Sequence, residues 1–199
     1  MEGPSLHIFV VTLRCDHSCQ YCQVSRAAVD ASGFDMSRAD AMFALDRVFE
    51  SDAPALTIEF QGGEPTLRFD LIREIVLLAE DHPARASRAI YFTMATTLQL
   101  LTDDDLAFCR DHAIHLSTSI DGPAPLHSAQ RPVATGNSWR RTIDALARAR
   151  DALGANGVAA LPTITRAALS QPDAIVDTYV ELGFRSLFLR PLAPYGFAR

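Results

Sequence analysis

The sequence predicts an α/β protein, a partial (β/α)6 TIM-type barrel with parallel strands. Three observations predict it. Short runs rich in β-branched and aromatic residues recur six times along the chain. Between them stand longer segments whose apolar residues fall three and four apart, the spacing of a helix that buries one face. The chemically distinctive motifs follow the strand runs, where a parallel sheet opens its crevice. Strictly alternating strands and helices imply parallel strands joined by right-handed crossovers. No linker, repeat or low-complexity segment interrupts them, so residues 1–199 are expected to form one domain.

In chain order, LHIFVVTL (6–13) is the first predicted strand and leads into a loop reading LRCDHSCQYCQVSR (13–26). Ser37 and Asp40 have the spacing of a helix N-cap, and Met42, Phe43, Leu45, Val48 and Phe49 form the apolar stripe behind it. ALTIEFQ (55–61) is the second strand, followed by GGEP (62–65). Asp70 opens a helix striped by Leu71, Ile72, Ile75, Leu78 and Ala79. RAIYFTM (88–94) and the segment TTLQLLT (96–102) come next, with Thr102 and Asp105 capping the third helix. IHLSTSI (114–120) runs into SIDGP (119–123), and Ser138 opens a helix that Gly154 closes. GVAALPTIT (157–165) is the fifth strand. Ser170 and Gly183 bound the last helix, and SLFLRP (186–191) is the sixth strand, running into RPLAPYG (190–196).

With 48% hydrophobic and 21% charged residues the chain reads as soluble and globular with a real core. No apolar run approaches the ~18 residues of a membrane span, and no export signal opens the sequence, so the cytoplasm is the expected compartment. The net charge of -6 argues against a broad nucleic-acid surface.

Three of the four cysteines, Cys15, Cys19 and Cys22, fall within eight positions after the first strand. In a reducing compartment such a group points to metal or redox chemistry rather than disulfides. Spacings of three and then two residues let one loop wrap a small inorganic body, and a four-iron cluster held by three thiolates keeps one iron open. Zinc would want a fourth ligand; His17 lies inside the loop, and Cys109 reads as a buried thiol on the third helix. In GGEP, two residues without Cβ at a strand end permit close backbone approach, and Glu64 offers a carboxylate either to a cation or as a helix-start acid. Ser119 and Asp121 fit either a ligand contact or an Asx-type turn, and Arg131 either an anion contact or a solvated loop residue. His7, His82, His112, His115 and His127 show no ligand spacing.

The C-x3-C-x2-C arrangement at Cys15, Cys19 and Cys22, with Tyr21 before the third cysteine, joined in order by GGEP and SIDGP, resembles the radical S-adenosylmethionine (radical SAM) enzymes over nearly the whole chain. That resemblance implies a [4Fe-4S] cluster on the three cysteines whose fourth iron takes the amino and carboxylate groups of S-adenosylmethionine. It further implies reductive cleavage to a 5′-deoxyadenosyl radical that removes a substrate hydrogen. Gly62, Gly63, Glu64 and Pro65 match the family's methionine-binding motif. By the same resemblance Tyr21, Ser119, Asp121, Arg131 and Leu189 become cofactor contacts, Leu189 against adenine, together with Thr97, which stands where relatives commonly carry asparagine. An electron donor of flavodoxin or ferredoxin type is implied. GGEP, S-x-D-G-P and H-x3-R (His127, Arg131) resemble the branch that modifies peptides and proteins, such as anaerobic sulfatase maturases. CDHSCQYCQVSR and RPLAPYGFA are most similar to maturases of His-Xaa-Ser peptide systems. A peptide or protein substrate is therefore expected. Small-molecule or RNA radical chemistry, an inactive fragment and a zinc module are the alternatives. Those maturases extend further C-terminally, so a partner chain or an additional domain is also expected.

Overall fold

The computed structural model describes residues 3–198. Its strands and helices are, in order, β1 (Leu6–Thr12), α1 (Arg38–Phe49), β2 (Ala55–Gly62), α2 (Phe69–Asp81), β3 (Ala89–Ala95), α3 (Asp103–Asp111), β4 (Ile114–Ser119), α4 (Ala124–Gln130), α5 (Ser138–Leu153), β5 (Val158–Leu161), β6 (Thr163–Ile164), α6 (Pro172–Glu181) and β7 (Arg190–Pro191). β1 to β5 form one sheet in sequence order, every pair parallel, as crossover helices require. No helix among the described residues is long and apolar enough to cross a membrane.

Residues of one parity, among them Phe9, Val11, Leu56, Ile58, Phe60, Phe92, Met94, Leu116 and Val158, are buried beneath the helices in a single core. Each large side chain among them contributes about 1.5–3 kcal/mol of burial. The other parity, from Ile8 and Glu59 to Tyr91 and His115, occupies the face turned away from the helices. Helix α3 starts at the expected capping box, Thr102 bonding the Asp105 amide while the Asp105 carboxylate returns to Thr102. Ser37 caps α1 as its spacing predicts.

Several local expectations change. Ser138 is the first residue of α5 rather than its cap; Asn137, in a left-handed conformation, accepts from the Arg140 amide instead. Arg68, not Asp70, precedes α2, and Ser170 closes a 3-10 turn before α6. Phe43 leaves the α1 stripe, lies exposed and carries the Arg47 guanidinium over its ring. The helix α4 has no counterpart in the sequence reading.

The fifth predicted strand is cut by Pro162, which has no N–H to give the ladder. The chain resumes as β6, and β6 pairs with β7 over only Thr163↔Arg190 and Ile164↔Pro191. The expected strand 186–191 therefore shrinks to its last two residues: β5 ends at Leu161, so residues before Arg190 find no ladder to join. Six-fold alternation persists as five strands in one sheet plus this two-residue extension.

Candidate functional site

β1 ends in a register shift between Val10 and Thr12 that turns the chain out of the sheet. The turn is fixed by Thr12, whose hydroxyl donates to Asp35 at 2.6 Å and accepts from the Arg14 amide at 3.0 Å. Arg14 pairs with the Asp35 carboxylate through Nε and Nη2, each at 2.8 Å, and although partial burial of Asp35 opposes the shift, these bonds hold its carboxyl below the usual range. Both flanks of the cysteine loop are then tied by backbone bonds, Cys15 N–H to Ala27 and Ala27 N–H to Leu13 on one side, Ser18 N–H to Pro132 and Gln20 N–H to Gln130 on the other. A last tie comes from far along the chain. The Phe197 N–H donates to the Cys22 carbonyl at 2.7 Å, and Gly196, at φ +58°, lies so close that a Cβ there would stand 2.6 Å from that oxygen.

The three cysteines face one cavity of about 330 Å³ at the carboxyl ends of the strands. Burial pushes the Cys15 and Cys19 thiols up from their ordinary value, with the Arg131 guanidinium partly offsetting the effect at Cys19. A metal must therefore displace protons to bind. Ligand atoms of Cys15, Asp16 and His17 lie within 4.8 Å of one another. Both His17 ring nitrogens are engaged, Nδ1 with Asp16 at 2.9 Å and Nε2 with the Gln99 amide at 3.3 Å, so His17 is committed to the fold. Three thiols presented from one loop, with Arg26, Arg131 and Arg190 on the same cavity wall, suit a group that gathers anionic sulfur.

The glycines of GGEP are required by the cysteine loop itself. A Cβ on Gly62 would sit 2.2 Å from the Thr12 carbonyl oxygen, and one on Gly63 2.3 Å from that of Arg14. That closeness lets Gly63 N–H reach Thr12 O at 2.8 Å and Glu64 N–H reach Arg14 O at 2.7 Å. Glu64 is 0% exposed. Oε1 accepts from the Thr66 amide (3.1 Å), the Thr66 hydroxyl (2.7 Å) and the Thr96 hydroxyl (2.6 Å), and Oε2 from the Thr97 amide (2.6 Å). The carboxylate thus fastens the end of β2 to the end of β3. Pro65, itself buried, begins the 3-10 turn that follows.

A second buried network joins Tyr21, Asp121 and Arg131. Arg131 Nη1 donates to the Tyr21 hydroxyl at 2.8 Å, that hydroxyl donates to Asp121 Oδ2 at 2.7 Å, and Asp121 Oδ1 accepts from the Thr163 amide at 3.1 Å. Burial raises the Asp121 carboxyl, opposed by Arg131 and Tyr21. His127 receives the Asp121 amide on Nδ1 and meets Thr142 on Nε2, each at 3.4 Å, and desolvation lowers its pKa to about 3. H-x3-R, the last turn and C-cap of α4, is therefore a brace for SIDGP, with both of its named residues buried.

Of the residues predicted from sequence, Cys15, Cys19, Cys22, Tyr21, Gly62, Gly63, Thr97, Ser119 and Arg131 line the cavity. Glu64, Pro65 and Asp121 stand behind its wall. Leu189 is not brought to it: its neighbours Phe188 and Arg190 line the cavity and Leu189 does not, as alternation in an extended segment dictates. Thr97 and Arg131 line the cavity with a buried hydroxyl and a buried Nε that have no hydrogen-bond partner, while the Thr118 hydroxyl, also unpartnered, belongs to the core parity of β4. Such orphans on a cavity wall mark polar contacts left for a ligand. The sequence reading missed Glu59, Gln61, Thr96, Ser117, Thr118 and Thr163. The parity of the second and fourth strands, read toward the face opposite the apolar residues, points to three of them, Glu59, Gln61 and Ser117.

Comparison with known proteins agrees with this geometry. Residues 9–170 match the Radical SAM superfamily. An uncharacterized protein of Methanocaldococcus jannaschii is 29% identical over 146 residues, covering 73% of this chain and 48% of that protein. The PqqA peptide cyclase of Bradyrhizobium diazoefficiens is 28% identical over 150 residues, covering 71% of this chain and 37% of the cyclase. The structure of native anSMEcpe with bound AdoMet and Kp18Cys peptide superposes with a TM-score of 0.81 at 20% identity, covering 94% of this chain and 51% of that one. The chain spans about half the length of these proteins or less. With the family match running through the cysteine loop, GGEP and SIDGP, and with the partial barrel that holds them, the chain belongs to the radical SAM superfamily.

Proposed function

We propose that this chain carries a [4Fe-4S] cluster on Cys15, Cys19 and Cys22 and binds S-adenosylmethionine in the adjoining cavity, in the service of peptide or protein modification. The observation that carries the reading is convergence: three thiols, the close-packed Gly62–Gly63 backbone and Thr97, whose buried hydroxyl has no partner, meet at the carboxyl ends of the strands. When bound, the cluster and S-adenosylmethionine supply a 5′-deoxyadenosyl radical, formed with one electron from a flavodoxin- or ferredoxin-type donor, that takes a hydrogen atom from the substrate. The cofactor brings that chemistry; the chain positions it and excludes water. Ser119 and Arg131 offer a hydroxyl and a guanidinium to a carboxylate, and Tyr21 closes the wall between them and the cysteine loop. Glu64, Pro65 and Asp121 hold those elements in register, and Phe188 offers the apolar surface that Leu189 was expected to give. The peptide-modifying reading is supported by the likeness to the PqqA peptide cyclase and to peptide-bound anSMEcpe.

Anaerobic reconstitution tests it. One four-iron cluster per chain and dithionite-dependent release of 5′-deoxyadenosine are expected. Both should vanish in Cys15→Ala, Cys19→Ala and Cys22→Ala and persist in Cys109→Ala, whose thiol is buried away from the cavity. Iron retained by any of the three loop variants, or a wild-type chain that binds zinc and releases no 5′-deoxyadenosine, would refute the assignment.

A further inference from the structure

The face of the sheet turned away from the helices carries one carboxylate among the cavity-lining residues. Glu59 lies on β2 in a cross-strand row with Ile8 on β1, Thr93 on β3 and His115 on β4. It lines the same cavity as the three cysteines. Its Oε1 accepts from the Gln61 side-chain amide at 2.5 Å, and among the described residues it makes no ion pair. Beside it, the Thr93 hydroxyl is buried without a partner. Around these polar groups the same face is apolar and open: Leu6 is 49% exposed, Ile8 50% and Tyr91 53%. The remaining charges on the cavity wall are the guanidiniums of Arg26, Arg131 and Arg190.

From this arrangement, and resting on the peptide-modifying reading above, we infer that Glu59 is the specificity-determining subsite for a cationic side chain, lysine or arginine, of the substrate peptide. A partly enclosed carboxylate without a counter-charge attracts a cation more strongly than a surface one does, because fewer waters screen it. Ile8 and Leu6 offer a bed for the alkyl stem, and the Tyr91 ring gives a π face within the same patch. The three guanidiniums repel a cation from the cysteine end of the cavity. A lysine- or arginine-bearing peptide therefore seats its charge at Glu59 and turns its neighbouring residues toward Cys15, Cys19 and Cys22. An acidic side chain is rejected at Glu59, which fixes the direction in which the peptide enters.

The composition offers a direct probe. All 18 basic residues of the chain are arginine, so it has no lysine side chain of its own to react. The full chain, with cluster and S-adenosylmethionine, is presented with three acetylated ten-residue Gly/Ser/Tyr peptides bearing one lysine, one Nε-acetyl-lysine or one glutamate. Binding is measured by fluorescence anisotropy, and contact is mapped by carbodiimide coupling of the peptide amine to protein carboxylates. The lysine peptide is expected to bind at least about tenfold better than the other two and to couple at Glu59, in keeping with a charge-assisted hydrogen bond. Glu59→Gln should erase the preference, and Glu59→Arg should transfer it to the glutamate peptide. Thermal unfolding confirms that each variant is folded. Equal preference in wild type and both variants overturns the subsite while leaving the peptide reading intact. If no peptide binds a chain that still cleaves S-adenosylmethionine, the peptide reading falls, and the subsite with it.

Discussion

Replacing Glu64 by glutamine separates two roles that the sequence leaves open. The carboxylate accepts four hydrogen bonds, three on Oε1 and one on Oε2, and is fully buried. Glutamine keeps one oxygen, which best serves the three donors of Thr66 and Thr96. Its NH2 group then faces the Thr97 amide, donor against donor. One charge-assisted bond is lost and a buried N–H is left unpaired, a penalty of about 2–4 kcal/mol. The opposite amide orientation forfeits three bonds and is worse. Urea unfolding followed by circular dichroism should show this loss with an unchanged m-value, and hydrogen exchange at the Thr97 amide should accelerate. Thr96→Val, which removes one donor and the acceptor of the Leu98 amide, should destabilise in the same direction. If Glu64→Gln unfolds within about 0.5 kcal/mol of wild type while S-adenosylmethionine affinity falls tenfold, the carboxylate turns outward to the ligand's ammonium and the bracing argument fails.

Gly63→Ala should cost about 3–5 kcal/mol, because its Cβ would meet backbone oxygens that cannot give way and two hydrogen bonds must lengthen; Gly33→Ala, with nothing within 4 Å and only a positive φ to strain, should cost about 1 kcal/mol, and equal melting shifts would contradict this. Burial lifts the Cys109 thiol to about 12 from an ordinary 9.0, so the folded state holds its proton longer than the unfolded chain; that contribution is complete below pH 9, fades as pH rises toward 12, and should leave Cys109→Ala with a flatter alkaline unfolding curve. Burial lowers His127 from 6.5 to about 3, so the unfolded chain takes up the proton first; stability present above pH 6.5 is lost as pH falls toward 3, and His127→Gln, which keeps an acceptor for the Asp121 amide, should weaken that acid slope in urea titrations.

The strands were legible wherever burial follows a period of two. Phe9, Val11, Leu56, Ile58, Phe60, Phe92 and Met94 announce β1 to β3 without ambiguity, and the cysteine loop, GGEP and SIDGP fall at strand ends as a parallel sheet demands. Less legible were positions decided by contacts distant in sequence. Nothing local tells that Gly62 and Gly63 are glycine because Thr12 and Arg14 press against them, or that Glu64 is consumed by threonines of two other segments. Leu189 and Phe188 are interchangeable on composition, and only the register set by the Thr163↔Arg190 pair decides which side chain enters the cavity. Glu59 looks like an ordinary exposed strand residue until the fold shows that its side of the sheet encloses the cavity.

The contact between Phe197 and Cys22 also sets a schedule. Cys15, Cys19 and Cys22 leave the ribosome near the start of synthesis, and the amide that finishes their loop is made 175 residues after Cys22. At ~5–20 residues per second the nascent chain carries three bare thiols for roughly 10–35 s before the loop can be sealed. During that interval they are open to scavenged zinc, to oxidants and to one another. For the cluster proposed above, the sealed form of its loop exists only once residue 197 has been made, so the yield of correctly loaded protein would depend on a race between cluster delivery and premature capture.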